Sequence, residues 1–247
     1  MSGHSKWSTI KRKKGAADAK RGTIFTRISK DITLAAREGG GDPSMNPALR
    51  LAVKNAKAAN MPAANIERAI NKGTGNLPGV KYENYIYEGY GPGGAAIMME
   101  VMTDNKNRTV PDIRSIMPKT GGKLGEQGCV NWMFEKKGVI TIQKGFVDEE
   151  VILEKSLELG ADDLQTESDD FIITTPPEKF DIVCKSLEKD GYDISGELNL
   201  IPVNSVKVCG KEAKSLLELL GKLEEHEDIQ KIYSNFELDD SEMESII

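Results

Sequence analysis

Lys11-Arg12-Lys13-Lys14 is the densest run of one charge in this 247-residue sequence, and Lys6, Lys20 and Arg21 stand close on either side of it. Such a cluster is the footprint of a polyanion partner, because each lysine or arginine that meets a phosphate releases condensed counterions whatever the bases are. Trp7 stands inside the same segment. An aromatic ring among cations can stack on a base or a sugar. Equally, Trp7 with Ile10 can anchor the segment against a neighbouring domain, and the sequence leaves both readings open.

Further cations recur at helical spacing. Arg27, Lys30 and Arg37 fall on the side of a helix opposite Ile24, Phe25, Ile28, Ile32 and Ala35. Arg50, Lys54 and Lys57 follow the i, i+4, i+7 pattern of a single stripe, and Arg68 and Lys72 repeat the i, i+4 step. A basic stripe on one helix is ordinarily a solvated face. Here the stripes contain few acids and adjoin the basic run, so they are expected to share in phosphate contact. The charge balance agrees. Residues 1–75 carry 15 Lys+Arg against 5 Asp+Glu, a net of +10, which leaves 18 basic and 34 acidic residues, a net of −16, in the remainder. The net charge of −6 therefore averages a polyanion-binding part and an acidic body that repels phosphate elsewhere.

Other chemistries find weaker support. Gly89-Tyr-Gly-Pro-Gly-Gly lacks the Gly-Lys-[Ser/Thr] ending of a phosphate-binding loop, and Pro92 removes a backbone donor, so a tight turn between strands is expected. Gly121, Gly122, Gly125 and Gly128 suggest a flexible loop before a strand carrying Trp132. His4 and His226 are too few and too far from Cys129, Cys184 and Cys209 for a zinc site, and the odd, scattered cysteines fit a reducing cytoplasm. The pairs Asp162-Asp163 and Asp169-Asp170 are expected at strand ends and turns rather than around Mg²⁺. We therefore expect no enzyme, no metal and no cofactor. No stretch approaches the roughly 18 to 20 apolar residues of a spanning helix, and no apolar run of about 7 to 15 residues follows the basic start. A cytoplasmic protein with no membrane partner and no small-molecule substrate is the expectation.

Periodicity and breakers place these residues on elements. Residues 1–22 read as a basic arm. Residues 23–76 read as three helices: Thr23 to about Glu38, stopped by Gly39-Gly40-Gly41; a second opened by Asn46 and Pro47; and a third from Pro62 to Lys72, stopped by Gly73. Strands follow at Tyr82–Glu88, Ala95–Thr103 and Gly128–Phe134, with a helix at Asn107–Met117. The next elements are strand Val139–Gln143, helix Asp148–Leu159, strands Asp163–Glu167 and Phe171–Thr175, helix Glu178–Lys189 and strand Glu197–Pro202. That order is the split βαβ pattern of a ferredoxin-like unit. Helix Lys211–Leu223 and strand Ile229–Phe236 then lack a partner, as does the sheet begun at residue 80. The expected fold is multidomain α+β: an N-terminal three-helix bundle, a discontinuous α+β domain made of 80–132 plus 203–240, and a ferredoxin-like α+β domain, 133–202, inserted into it. An acidic tail, Asp239 to Glu244, closes the chain.

Several motifs resemble the YebC/PmpR family. They are Gly-His-Ser-Lys-Trp-x-x-Ile-Lys from Gly3, Asp18-Ala-Lys-Arg-Gly, Ala36-Arg-Glu-Gly-Gly-Gly-Asp-Pro, Asn65-Ile-Glu-Arg-Ala-Ile, Glu88-Gly-Tyr-Gly-Pro-Gly-Gly, Thr103-Asp-Asn-x-Asn-Arg-Thr, and Gly121-Gly-x-Leu-Gly through Val130-x-Trp-x-Phe. They occur in family order over essentially the whole chain. The resemblance implies the same three domains and a cytoplasmic, DNA-binding regulator of transcription. It also brings relatives that act in translation, including a mitochondrial activator. Two functions follow. The first is a non-enzymatic regulator docking on the phosphate backbone of DNA through Lys6, Trp7, Lys11, Arg12, Lys13, Lys14, Lys20, Arg21, Arg27, Lys30, Arg37, Arg50, Lys54, Lys57, Arg68 and Lys72. The alternative is a translation factor docking on ribosomal RNA, which suits a flexible basic arm and the lack of a clear groove-reading helix. Target sequence and oligomeric state are not legible.

Overall fold

The computed structural model describes residues 19–79, 81–145, 148–167 and 170–239, without the side chains of residues 19–21. The described residues up to Asn131, together with those from Ser205 onward, form one compact unit, and Trp132–Asn204 forms a second.

The first unit opens with α1 (Ala19–Gly39), α2 (Pro47–Ala58) and α3 (Ala63–Gly73). Helix α1 begins before the expected Thr23. Asn46 caps α2 by accepting from Leu49 N–H, and its side-chain amide also donates to the carbonyls of Ala35 at 2.8 Å and Gly40 at 2.9 Å. One asparagine thus satisfies the start of α2 and the end of α1. Helices α2 and α3 both pack on α1, around a core of Ile32, Ala36, Leu49, Ala56, Ile66 and Ala69. A Cβ on Gly73 would meet the Thr33 carbonyl oxygen at 2.5 Å and Ala36 Cβ at 2.7 Å, so only glycine lets α3 end against α1.

The rest of this unit is a four-stranded antiparallel sheet covered on one face by two helices. Strands β1 (Glu83–Tyr90), β2 (Ala96–Thr103), β3 (Lys123–Leu124) and β9 (Ile229–Ser234) lie in the order β3-β1-β2-β9. Helices α4 (Lys106–Lys119) and α7 (Gly210–Glu225) bury Ile113, Met117, Leu216, Leu219 and Leu220 against Ile97, Met99 and Val101. Between β1 and β2 the chain turns through Pro92–Gly94, with Gly93 at φ +71° and Gly94 at φ +75°, a conformation that glycine adopts without strain. The expected strand Ile229–Phe236 is interrupted: β9 stops at Ser234, and β10 (Phe236–Glu237) pairs in parallel with β8 (Val206–Lys207).

The second unit has the element order β4 (Phe134–Gln143), α5 (Glu149–Glu158), β5 (Asp163–Thr166), β6 (Asp170–Thr175), α6 (Pro177–Lys189) and β7 (Ile194–Pro202). Its antiparallel sheet runs β5-β6-β4-β7, with Ile140, Ile142, Phe171, Ile173, Ile152, Val183 and Leu187 in the core. This is the ferredoxin-like arrangement.

Residues 128–133 are not a strand. Gly128 takes φ +88°, and Asn131–Met133 forms a 3-10 turn. The buried carboxylate of Glu88 accepts from the backbone N–H of Gly128 at 2.7 Å, Val130 at 2.8 Å and Asn131 at 2.9 Å. Those donors are thereby withdrawn from any sheet ladder. A buried side chain 40 residues upstream overrides the local strand propensity.

Candidate nucleic-acid interface

The structure divides the expected cations into two groups. On α2 the buried positions are Leu49, Ala52 and Ala56, and Arg50, Lys54 and Lys57 are all exposed. At about 100° per residue the three cations fall in an arc of roughly 60° on one flank of the helix. On α3, Ile66 and Ala69 are buried, while Arg68 and Lys72 are exposed on the far side. Among the described residues, no carboxylate lies within ion-pair distance of Arg50, Lys54, Lys57, Arg68 or Lys72. Arg50 makes one long bond, 3.4 Å, to the Ser44 carbonyl. Exposed Arg37 ends α1 where Gly73 ends α3, so Arg37 and Lys72 share one end of the bundle.

Lys30 belongs elsewhere. It is 5% exposed, and its ammonium donates to Asp228 Oδ1 at 2.5 Å and to the carbonyls of Glu227 at 3.0 Å and Met102 at 3.2 Å. Arg27 is half-buried as well, donating to the carbonyls of Glu224 and His226, and burial pulls its guanidinium below the ordinary value. Neither side chain is placed to meet a phosphate. Helix α1 has two buried sides, one on α2 and α3 and one on the sheet portion of the same unit. Periodicity that assumes a single apolar face assigns the second side to solvent.

Asp228, for which spacing and composition carry no signal, is the hub of this second contact. It is 1% exposed. Besides Lys30 it accepts from Thr109 Oγ1 at 2.7 Å, Arg108 Nη2 at 2.9 Å and Thr103 Oγ1 at 3.2 Å. Burial alone would raise its pKa, but the hydrogen bonds from Lys30, Thr109 and Arg108 hold the carboxyl well below the ordinary carboxylate range. The stretch Thr103-Asp-Asn-x-Asn-Arg-Thr thus supplies three donors to one carboxylate.

Lys6, Trp7, Lys11, Arg12, Lys13 and Lys14 lie outside the described residues, as do the side chains of Lys20 and Arg21. Of the expected acid pairs, Asp162 is taken up by Lys137 at 3.0 Å, and Asp169 is outside the described residues. His226 accepts from Asp228 N–H at 3.1 Å. No group of three or more His, Cys, Asp or Glu suited to a metal ion occurs among the described residues, and no described helix is long and apolar enough to cross a membrane.

Fold and surface together define a multidomain α+β protein whose helical bundle displays exposed cations and whose inserted unit is ferredoxin-like. The model of the TACO1/YebC N-terminal domain matches residues 5–76, and that of the TACO1/YebC second and third domain matches residues 82–236. The chain belongs to the TACO1/YebC family. It is 54% identical over 248 residues to a probable transcriptional regulatory protein of Geobacter sulfurreducens, covering 100% of both chains. It is 56% identical over 241 residues to one of Desulforapulum autotrophicum, covering 97% of this chain and 98% of that one. A conserved hypothetical protein of Aquifex aeolicus has a crystal structure that matches with a TM-score of 0.81 at 44% identity, covering 90% of this chain and 93% of that one.

Proposed function

We propose that this protein is a non-enzymatic regulator of transcription that docks on the phosphate backbone of DNA through its N-terminal third. The observation that carries the reading is the stripe Arg50, Lys54 and Lys57, exposed on one flank of α2 with no carboxylate in ion-pair distance among the described residues. Arg37, Arg68, Lys72 and the run Lys11–Lys14 extend it, and the relatives' names point to the same process. Contacts of this type position a protein on a duplex without reading bases. Six phosphate contacts from Arg37, Arg50, Lys54, Lys57, Arg68 and Lys72 correspond to a log–log salt slope of about −5, or about 10³ in affinity between 50 and 200 mM salt.

The test is a salt titration of duplex binding with the full chain. Replacing Arg50, Lys54 and Lys57 together by alanine should flatten the slope by about three while leaving the melting temperature unchanged, since exposed charges contribute little to folding. Replacing Lys11 to Lys14 should weaken all sequences about equally. Unchanged affinity in both variants overturns the reading. Crosslinking in cells adds a second check, because enrichment of ribosomal RNA over promoter DNA would refute docking on DNA.

A further inference from the structure

A groove of about 430 Å³ lies on the sheet of the first unit, lined by Asp31 of α1, Ile86 and Asn84 of β1, Glu100 of β2, and Gln230 and Lys231 of β9. Its floor is set by register. Ile86 pairs with Glu100 and Glu100 with Lys231, so these three side chains stand in a row across β1, β2 and β9. Since Ile97, Met99 and Val101 turn toward α4 and α7, alternation puts Glu100 on the opposite face. The pairing then slips: Glu100 opposes Lys231, and Val101 opposes Ile229. Gln230 is the extra residue of that bulge, a device that re-aims a side chain and is common beside functional sites.

Several groups lining the groove have unmet bonding capacity. The Gln230 side-chain N–H₂ is buried with no partner. Asp31 has no hydrogen bond or ion pair among the described residues, and Glu100 accepts from Tyr233 OH at 3.2 Å. Ile86, an isoleucine 51% exposed, supplies an apolar strip. Two carboxylates against one ammonium leave the lining one positive charge short of neutral. Asp31 keeps an exposed residue surface, but protein atoms crowd its carboxyl. Desolvation, with Glu100, pushes it up to about 6, against Lys231, Arg27 and Lys30.

We propose that this groove binds an organic cation: an ammonium or guanidinium group on a short apolar stem, with a carbonyl beside it. The cation lies between Asp31 and Glu100, its stem runs over Ile86, and its carbonyl accepts from the Gln230 amide once that side chain rotates out of its buried position. Both a free amino-acid-like amine and a lysine or arginine side chain of a partner protein have this chemistry. The inference is independent of the nucleic-acid reading.

Lysine amide, arginine amide, butylamine and the capped tripeptide acetyl-Gly-Lys-Gly-amide are the probes, titrated into the full chain by calorimetry and amide-resolved NMR. Saturable binding of the amides or the tripeptide is expected, with shifts centred on Ile86, Glu100 and Gln230. Tighter binding of the amino-acid amides than of the tripeptide identifies a free amine as the source, and the reverse a protein-borne side chain. Asp31→Asn and Glu100→Gln should each weaken binding about tenfold, the scale of one charge-assisted contact. Gln230→Leu should weaken the amides and not butylamine, which carries no carbonyl. Affinity should also fall as pH drops below about 6, where a proton occupies Asp31. Melting curves of each variant separate lost binding from lost folding, and Asp31→Asn, at an exposed position, decides if Glu100→Gln unfolds. Absence of saturable binding by the wild type, or undiminished binding by folded Asp31→Asn, overturns the proposal.

Discussion

Lys30→Ala tests whether this lysine is a structural cation. The substitution leaves the Asp228 carboxylate, 1% exposed, without its shortest charged partner, and removes one donor each from the carbonyls of Met102 and Glu227. Removing one member of a buried ion pair typically costs about 3 to 5 kcal/mol. Arg108, Thr109 and Thr103 still donate to Asp228, but Arg108 lies largely in solvent, which favours the lower half of that range. For a unit of this size, about 3 kcal/mol corresponds to a fall in melting temperature of roughly 6 to 12 °C. Urea and thermal unfolding followed by circular dichroism measure it, and a double-mutant cycle with Asp228→Asn isolates the pair. The sign with pH is also set. Because the folded-state carboxyl of Asp228 is depressed, its stabilisation is present above the ordinary carboxylate range near 4 and drains away as pH falls below it. Lys30→Ala should therefore cost most at neutral pH and progressively less in acid. Affinity for DNA, measured well below the melting point, should keep the wild-type salt slope. A loss of stability under about 1 kcal/mol, or a flatter salt slope, would refute the assignment.

Glu88→Gln should free the turn at 128–131, because an amide oxygen cannot replace a carboxylate accepting three backbone N–H groups. Hydrogen exchange at Gly128, Val130 and Asn131 should speed up more than in the core strand β2, and unchanged protection would refute this. Asp31→Asn should show the opposite pH dependence from Asp228. A carboxyl raised to about 6 binds its proton more tightly in the folded state, so stability is lost as pH rises from near 4 through about 6. The variant should melt higher than the wild type at about pH 7.5 and no higher at about pH 4.

Local chemistry alone determined much of this protein. The Asn46-Pro47 start of α2 and the strand–helix order of the ferredoxin-like unit each rest on caps, breakers and short-range periodicity, which act within a few residues. The α+β class and the exposed flank of α2 are legible for the same reason. Tertiary structure decided the rest. Lys30 and Arg37 differ little on a helical wheel, yet one is buried on Asp228, 198 residues away, and the other is exposed at the end of the bundle. Likewise the 128–133 segment reads as a strand until Glu88 claims its donors, and Gln230 is left as the extra residue by a one-residue slip in register between β2 and β9. These outcomes depend on which distant surface arrives opposite a side chain, and a pattern confined to one segment carries no record of it.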